Sequence, residues 1–134
     1  VPTKQTATSF ECTDDCGCDP RMCRNRLLQF GRQQPLCIFR DHSKGWTLRT
    51  IEEIMKRGLV NEYCGKVLLG PTKDAGKIYD FELTYPLKRY DNTKRPLYIS
   101  ASGQGNETRF ASHSCNPNCY METTVIGRDD IFNT

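Results

Sequence analysis

The segment RFASHSCNPNC, residues 109–119, concentrates side chains that can do chemistry. It holds an arginine, a histidine, two asparagines, two serines and two cysteines, and little apolar material for a core. A cysteine hydrolase using Cys115 with His113 or His42 is disfavoured. On an extended segment His113 is expected to point away from Cys115, and no helix start or orienting carboxylate accompanies the thiol. With so little apolar material, core packing cannot be the main purpose of the segment.

A second reactive group is a cluster of four cysteines within twelve residues. Its members are Cys12, Cys16, Cys18 and Cys23. A disulfide scaffold spreads its cysteines to join distant loops, whereas closely spaced thiolates can converge on one metal ion. Turn-forming Asp, Gly and Pro residues between them let the loop fold around an ion. The spacing predicts zinc, with disulfides as the alternative. Cys37 and Cys64 lie in apolar runs and are predicted to be small buried hydrophobes.

Composition limits the class of protein. A chain of 134 residues is the size of one domain, and 37% apolar with 26% charged residues is ordinary for a globular protein. The net charge of +3 permits an acidic partner but does not argue for one. No apolar run approaches the ~20 residues of a membrane span, and no secretory signal opens the chain. We therefore expect no membrane partner.

The elements that position these groups are predicted to be short strands, with little helix. Thr50 followed by Glu53 resembles a capping box, and Gly58 is a stop signal, so one short helix or helical turn is expected between them. Residues 86–96 are charged and predicted to form an exposed loop. The pattern predicts a mostly β domain. The predicted strands are PLCIFR (35–40), two in LVNEYCGKVLLG (59–70) separated by its first glycine, KIYDFELTY (77–85), PLYISAS (96–102) and YMETTVIG (120–127).

Five motifs, in order, resemble those of SET-domain protein lysine methyltransferases. ECTDDCGCDPRMCRNRLLQFG resembles the end of a pre-SET zinc module, and KGW, NEYCGKVL, YDFEL and GNETRFASHSCNPNC resemble successive SET motifs. The resemblance implies a lead-in over 1–10, a partial pre-SET zinc module over 11–34 and a SET domain over 35–134. That domain would be incomplete at its C-terminus, lacking the catalytic tyrosine and the post-SET cysteines. The chain would then be either a truncated fragment or a degenerate member.

The resemblance implies methyl transfer from S-adenosylmethionine to a histone lysine. The pre-SET ending and CIFR resemble the histone H3 lysine 9 branch, while EYCGKVL and HSCNPNC also resemble the lysine 36 branch. A free lysine has a pKa near ~10.4, so a narrow apolar channel that disfavours the ammonium helps the amine to attack. Tyr63 and Phe81 match the channel and are assigned as catalytic, and Tyr79 matches the cofactor site. The alternative for these aromatic residues is packing in a core.

The resemblance also assigns a cofactor wall. Its expected residues, besides Tyr79, are Lys44, Gly45, Trp46, Arg109, Ser112 and His113. Two positions depart from the family pattern: Thr47 replaces the second glycine of a Gly-x-Gly, and Ser112 replaces an asparagine. Serine cannot offer both an amide donor and a carbonyl acceptor, so weaker cofactor binding is expected. For KGW the alternative is a hairpin turn with a packed tryptophan. Cys115 matches a zinc ligand that later cysteines complete.

The partners implied by this resemblance are the histone H3 tail and chromatin, with nuclear localisation. No basic recognition helix follows the cysteines, so sequence-specific DNA binding is not expected. Thr47, Ser112 and the missing tyrosine favour one alternative function, a catalytically degenerate SET-fold module that binds zinc or chromatin.

Overall fold

The computed structural model describes residues 8–69, 79–83 and 97–127. In these residues the chain forms short strands and two 3₁₀ turns, with no α-helix, which confirms the mostly β expectation. The strands are β1 Thr8–Glu11, β2 Leu36–Asp41, β3 Gly45–Thr50, β4 Gly65–Leu69, β5 Asp80–Leu83, β6 Leu97–Gly105 and β7 Thr123–Ile126, and the 3₁₀ turns are Asp14–Cys16 and Glu107–Phe110.

The strands form three small sheets. β6 lies between β4 and β5 in an antiparallel sheet, β2 and β3 form an antiparallel hairpin, and β1 pairs with β7 in parallel. The hairpin is closed by Asp41, whose Oδ1 accepts the backbone N–H groups of Ser43 at 2.8 Å and Lys44 at 2.9 Å. The Ser43 hydroxyl also donates to this oxygen, at 2.7 Å, and this bond, together with the two backbone bonds, holds the pKa of the Asp41 carboxyl below its usual value. Gly45 follows at φ 77°, a left-handed conformation that glycine adopts without strain.

Of the short helix or helical turn expected between Thr50 and Gly58, the structure forms no helix. Thr50 pairs with Leu36 at the end of the β2–β3 ladder, and the next N–H, from Ile51, donates to the Pro35 carbonyl at 3.1 Å. That N–H is thereby tied to the strand that pairs with β3, and the chain leaves β3 without turning into a helix. One tight turn remains, where the Gly58 N–H donates to the Met55 carbonyl at 2.8 Å.

The strand predicted before Gly65 is also wrong, because residues 59–64 are irregular. Their backbone is held by side chains instead of a ladder: Asn106 Nδ2 and Thr108 Oγ1 both donate to the Glu62 carbonyl, at 2.8 and 3.2 Å. The strand predictions for 35–40, 96–102 and 120–127 are confirmed in outline. The loop predicted over 86–96 lies outside the described residues.

Apart from Arg26, the buried positions of the described residues carry small side chains. Ala101 is fully buried on β6, and Ser100, Thr47 and Thr108 are each less than 9% exposed. Cys37 and Cys64 are only half-buried, less than predicted. The sheet is tight near Gly65, where a Cβ would lie 2.5 Å from the Ser100 carbonyl oxygen. Small residues therefore let β4, β6 and the second 3₁₀ turn approach closely.

Candidate cofactor wall and cysteine site

Tyr63 contacts both Tyr79 and Phe81, which lie 16 and 18 positions further along the chain. The Tyr63 hydroxyl donates to the Tyr79 carbonyl at 2.9 Å, and its ring meets Phe81 edge-on, with centroids 4.5 Å apart. The Arg109 guanidinium lies over the Tyr79 ring, 5.0 Å from its centroid. The structure thus brings together the two residues predicted as catalytic and two of those predicted for the cofactor.

Strand pairing explains why these side chains meet. Phe81 pairs with Ile99 in the β5–β6 ladder, and the Tyr79 carbonyl also accepts the Ala101 N–H at 3.1 Å. Tyr63 reaches the same carbonyl from the segment that enters β4. One backbone oxygen therefore fixes β6 and the Tyr63 ring relative to the start of β5.

Tyr63 is a hydrogen-bond donor at neutral pH. Burial raises the pKa of Tyr63 to about 12, the Asp80 carboxylate adds to the shift and the Arg109 guanidinium opposes it. Since an ordinary tyrosine has a pKa near ~10, the phenol stays protonated throughout the physiological range. It can orient a polar group or wall a channel, but it cannot act as a general base at pH 7.

The two residues that depart from the family pattern contact each other. Thr47 Oγ1 lies 2.5 Å from Ser112 Oγ, although the residues are 65 positions apart. Thr47 is 6% exposed, whereas Ser112 is exposed. This hydrogen bond joins β3 to the segment 109–119. Nearby, a Cβ built on Gly45 would meet nothing within 4 Å, so open space borders the Lys44–Trp46 turn.

The second 3₁₀ turn sets the position of segment 109–119. Asn106 caps it by accepting the Thr108 N–H at 3.3 Å, and Arg109 Nη2 donates to the Ser102 carbonyl at 3.1 Å. Asn61 Nδ2 reaches Glu107 Oε1 at 3.0 Å. Sequence reasoning missed Asn106 and Thr108. The signal was an asparagine at the first position of a turn, where its side-chain oxygen can cap a backbone N–H.

Three of the four clustered cysteines converge. The sulfur atoms of Cys12, Cys18 and Cys23 all lie within 4.8 Å of one another. With Zn–S bonds of about 2.3 Å, tetrahedral geometry places ligand sulfurs about 3.8 Å apart, so a small closing movement would suit zinc. The pKa values of two of these thiols shift in opposite directions: the Asn25 backbone N–H holds that of Cys23 below its usual value, while at Cys12 the Asn25 side chain is outweighed by Cys23, burial and Cys18, and the pKa is raised. The cluster therefore fits a metal site.

The other predicted ligands lie apart from this group. Cys16, exposed in the first 3₁₀ turn, accepts the Thr13 N–H on its sulfur at 3.3 Å and is not among the converging sulfurs. Cys115 Sγ lies 3.9 Å from His113 Nε2, so the expectation that His113 points away was wrong. The chain bends there, with the Asn116 N–H donating to Ser114 Oγ at 3.2 Å. All eight cysteines lie within the described residues, and none forms a disulfide.

The remaining predicted cofactor residues lie on two segments, the β2–β3 hairpin turn and the segment 109–119. Trp46 is 60% exposed on β3 beside Gly45 and Lys44, and it is not packed in a core. His113 follows Ser112 on the opposite segment. The Thr47–Ser112 hydrogen bond joins the strand that carries Gly45 and Trp46 to the segment that carries Ser112 and His113.

Comparison with known proteins gives one family. The family model "SET domain" matches residues 45–133. The chain is 36% identical over 132 residues to histone-lysine N-methyltransferase SUV39H1 of Xenopus laevis, covering 97% of this chain and 31% of that protein. It is 34% identical to a histone-lysine N-methyltransferase of Emericella nidulans that is H3 lysine-36 specific, and the match covers 90% of this chain and 12% of that protein. The chain therefore spans about a third or less of these relatives.

Solved structures agree in fold. Arabidopsis thaliana SUVH6 in complex with SAM superposes with a TM-score of 0.74 at 31% identity, covering 92% of this chain and 28% of that one. KRYPTONITE in complex with mCHG DNA and SAH superposes with a TM-score of 0.70 at 34% identity, and the match covers 92% of this chain and 24% of that one. No helix among the described residues is long and apolar enough to cross a membrane.

Proposed function

Because this chain belongs to the SET-domain family, as its motifs predicted, we propose that it forms part of a protein-lysine methyltransferase that uses S-adenosylmethionine and acts on histone H3. The proposal names lysine 9 as the target, in keeping with the SUV39H1 similarity, and lysine 36 as the less favoured target. The observation that carries it is the convergence of Tyr63, Phe81, Tyr79 and Arg109, residues that the family motifs assign to the lysine channel and the cofactor.

The proposed reaction is an in-line displacement. The neutral lysine nitrogen forms a bond to the methyl carbon as the S–CH₃ bond breaks, the sulfur keeps the electron pair, and the nitrogen then loses a proton to water. The chain's part is to supply the channel. Tyr63 and Phe81 present an edge-to-face aromatic wall, which favours an uncharged amine over an ammonium because it is apolar.

The cofactor is proposed to lie between the two segments joined by Thr47 and Ser112. Backbone groups of Lys44, Gly45 and Trp46 border open space on one side, and Ser112 with His113 forms the other. Aromatic faces attract a sulfonium by up to about 2 kcal/mol when desolvated, and Tyr79 is proposed to take that role. Arg109 is proposed to brace the segment through the Ser102 carbonyl.

Zinc is proposed as a structural metal. Cys12, Cys18 and Cys23 would hold it, because three thiolates this close satisfy the donor chemistry of zinc. Cys16 is proposed as a further ligand after a local movement of the first 3₁₀ turn. Cys115 is proposed as a ligand of a separate zinc.

The proposed partners are the histone H3 tail and chromatin, in the nucleus. The relatives named above act on histones by name, which supports this choice. KRYPTONITE is a structural neighbour seen with DNA. For this chain we propose no sequence-specific DNA contact, since the segments following the cysteines that the structure describes contain no recognition helix.

One observation favours a second function, a SET-fold module with little or no methyltransferase activity. The Thr47–Ser112 hydrogen bond uses polar groups that would otherwise be available to a cofactor. Such a module would bind zinc or chromatin without transferring methyl groups.

Calorimetry with S-adenosylmethionine separates the two functions, followed by methyl transfer by the natural full-length protein to histone H3 peptides. We expect saturable cofactor binding, and faster transfer to a peptide with lysine 9 as its one lysine than to one with lysine 36. Phe81→Ala should slow transfer, while Phe30→Ala, which alters an aromatic residue that is 52% exposed outside the group of Tyr63, Tyr79 and Phe81, should not. Binding of zinc and histone peptides without any cofactor binding would favour the module.

A further inference from the structure

Arg26 is an unusual residue in the cysteine segment. It is 4% exposed, and among the described residues it is the one charged side chain that is buried. Burying a guanidinium is costly unless it is paired and hydrogen-bonded. A buried arginine in a short, largely exposed loop therefore needs a compensating interaction.

The hydrogen bonds of Arg26 reach back to the turn between the first two cysteines. Nη1 donates to Asp14 Oδ1 at 3.0 Å and to Gln29 Oε1 at 3.4 Å, and Nη2 donates to the Thr13 carbonyl. Thr13 caps the first 3₁₀ turn and Asp14 begins it. The planar fork of one side chain thus fixes the backbone that separates Cys12 from Cys16.

Arg26 lies three residues after Cys23, the last of the converging cysteines. Its hydrogen bonds to Thr13 and Asp14 therefore join the segment after Cys23 to the turn after Cys12.

We propose that Arg26 is a positioning residue for the metal site formed by Cys12, Cys18 and Cys23. It holds the segment that follows Cys23 against the Thr13–Asp14 turn that follows Cys12, and it brings a permanent positive charge into the cysteine segment. The proposal rests on the proposed zinc site.

A charge count explains why an arginine suits this place. Zinc with three thiolates has a net charge of −1, and with four it has −2. A guanidinium never loses its proton in proteins, so it offsets one of these charges. Lysine would keep the charge but lose the planar fork that reaches both the Thr13 carbonyl and Asp14.

Metal titration of the whole chain tests the proposal. Zinc affinity is measured by competition with a chromophoric chelator, and cobalt(II) spectra report sulfur coordination and geometry. Outer partners of metal ligands are typically worth ~10–100-fold in metal affinity, so Arg26→Gln should weaken zinc binding by that range. Arg26→Lys should fall between it and the parent. Arg24→Gln, which removes an exposed arginine next to Cys23, should bind like the parent.

The outcomes separate this proposal from the zinc assignment. A parent chain that binds no zinc refutes the site, and the proposal fails with it. A parent that binds zinc while Arg26→Gln keeps the same affinity and the same cobalt spectrum overturns the role of Arg26 alone. Far-ultraviolet circular dichroism reports folding. If Arg26→Gln does not fold, Arg26→Lys decides: parent-like affinity and spectrum overturn the proposal, and weakened binding with shifted cobalt bands supports it.

Discussion

Asparagine at position 112 should bind the cofactor well only if Thr47 is removed with it. Ser112 Oγ and Thr47 Oγ1 are 2.5 Å apart. In the same rotamer an asparagine places its Cγ near that oxygen position, and its terminal atoms extend about 1.2 Å further. Those atoms would overlap the Thr47 hydroxyl, so the amide must turn away or Thr47 must move.

The size of the effect follows from burial. Thr47 is 6% exposed, so losing its partner leaves a buried hydroxyl unsatisfied, at a cost of about 1–3 kcal/mol. Ser112→Asn alone should therefore leave cofactor affinity unchanged or weaker. With Thr47→Gly added, the amide can reach the charged methionine end of the cofactor, and such hydrogen bonds are worth about 1.5–3 kcal/mol. The double variant should bind at least about tenfold more tightly than the parent.

The assay is a double-mutant cycle by calorimetry with S-adenosylmethionine. Thr50→Gly serves as control, because it makes the same substitution in the same strand at its far end. We expect a coupling energy of about 1 kcal/mol or more between positions 47 and 112. Coupling below ~0.5 kcal/mol would refute the steric argument. Equal affinity for all four chains would show that position 112 does not face the cofactor.

Three other predictions follow from the same side chains. Chain purified without chelators should contain zinc, and Cys18→Ser should lower the zinc content and the unfolding temperature; disulfides by mass spectrometry with no metal would contradict this. Trp46 is the one tryptophan and is 60% exposed, so bound cofactor should change its fluorescence; an unchanged spectrum at saturation, with binding verified by calorimetry, would place Trp46 away from the site. The Tyr63 pKa is raised to about 12. Its contribution to stability is present below pH ~10 and lost as pH rises toward 12. Tyr63→Phe should remove that part of the alkaline decline in denaturant titrations, and an identical pH profile would argue against it.

Local sequence patterns predicted strands correctly where a run of apolar or β-branched residues stands next to turn-forming residues. The apolar run before Asp41 became β2, and the β-branched run before Gly127 became β7. The capping-box pattern at Thr50 did not produce a helix, because Thr50 pairs with Leu36 at the end of the β2–β3 ladder. A local sequence pattern does not reveal this pairing partner. Propensity is a weak prior when tertiary pairing offers the backbone another partner.

The sequence indicated which residues are candidates for the site, but it did not indicate which of them contact one another. Motif order proposed Tyr63, Phe81 and Ser112 as site residues, but no pattern in the sequence indicates that Thr47 and Ser112 touch across 65 positions. The cysteine spacing predicted a cluster, yet it did not separate Cys16 from the three converging sulfurs. That distinction depends on how the Asp14–Cys16 turn points its side chains.

The parallel pairing of β1 with β7 has a consequence for the order of events during synthesis. Ser9 and Thr124 share a hydrogen bond at 3.0 Å across 115 positions. Closing a loop of that length costs about 4 kcal/mol in chain entropy, against about 2 kcal/mol for the twelve residues that join the first and fourth clustered cysteines. At 5–20 residues per second, a ribosome needs on the order of ten seconds to make the intervening chain. The cysteine loop can therefore bind its metal before β7 has been synthesised, while β1 is still unpaired. β7 then pairs with β1 on a cysteine loop that is already folded.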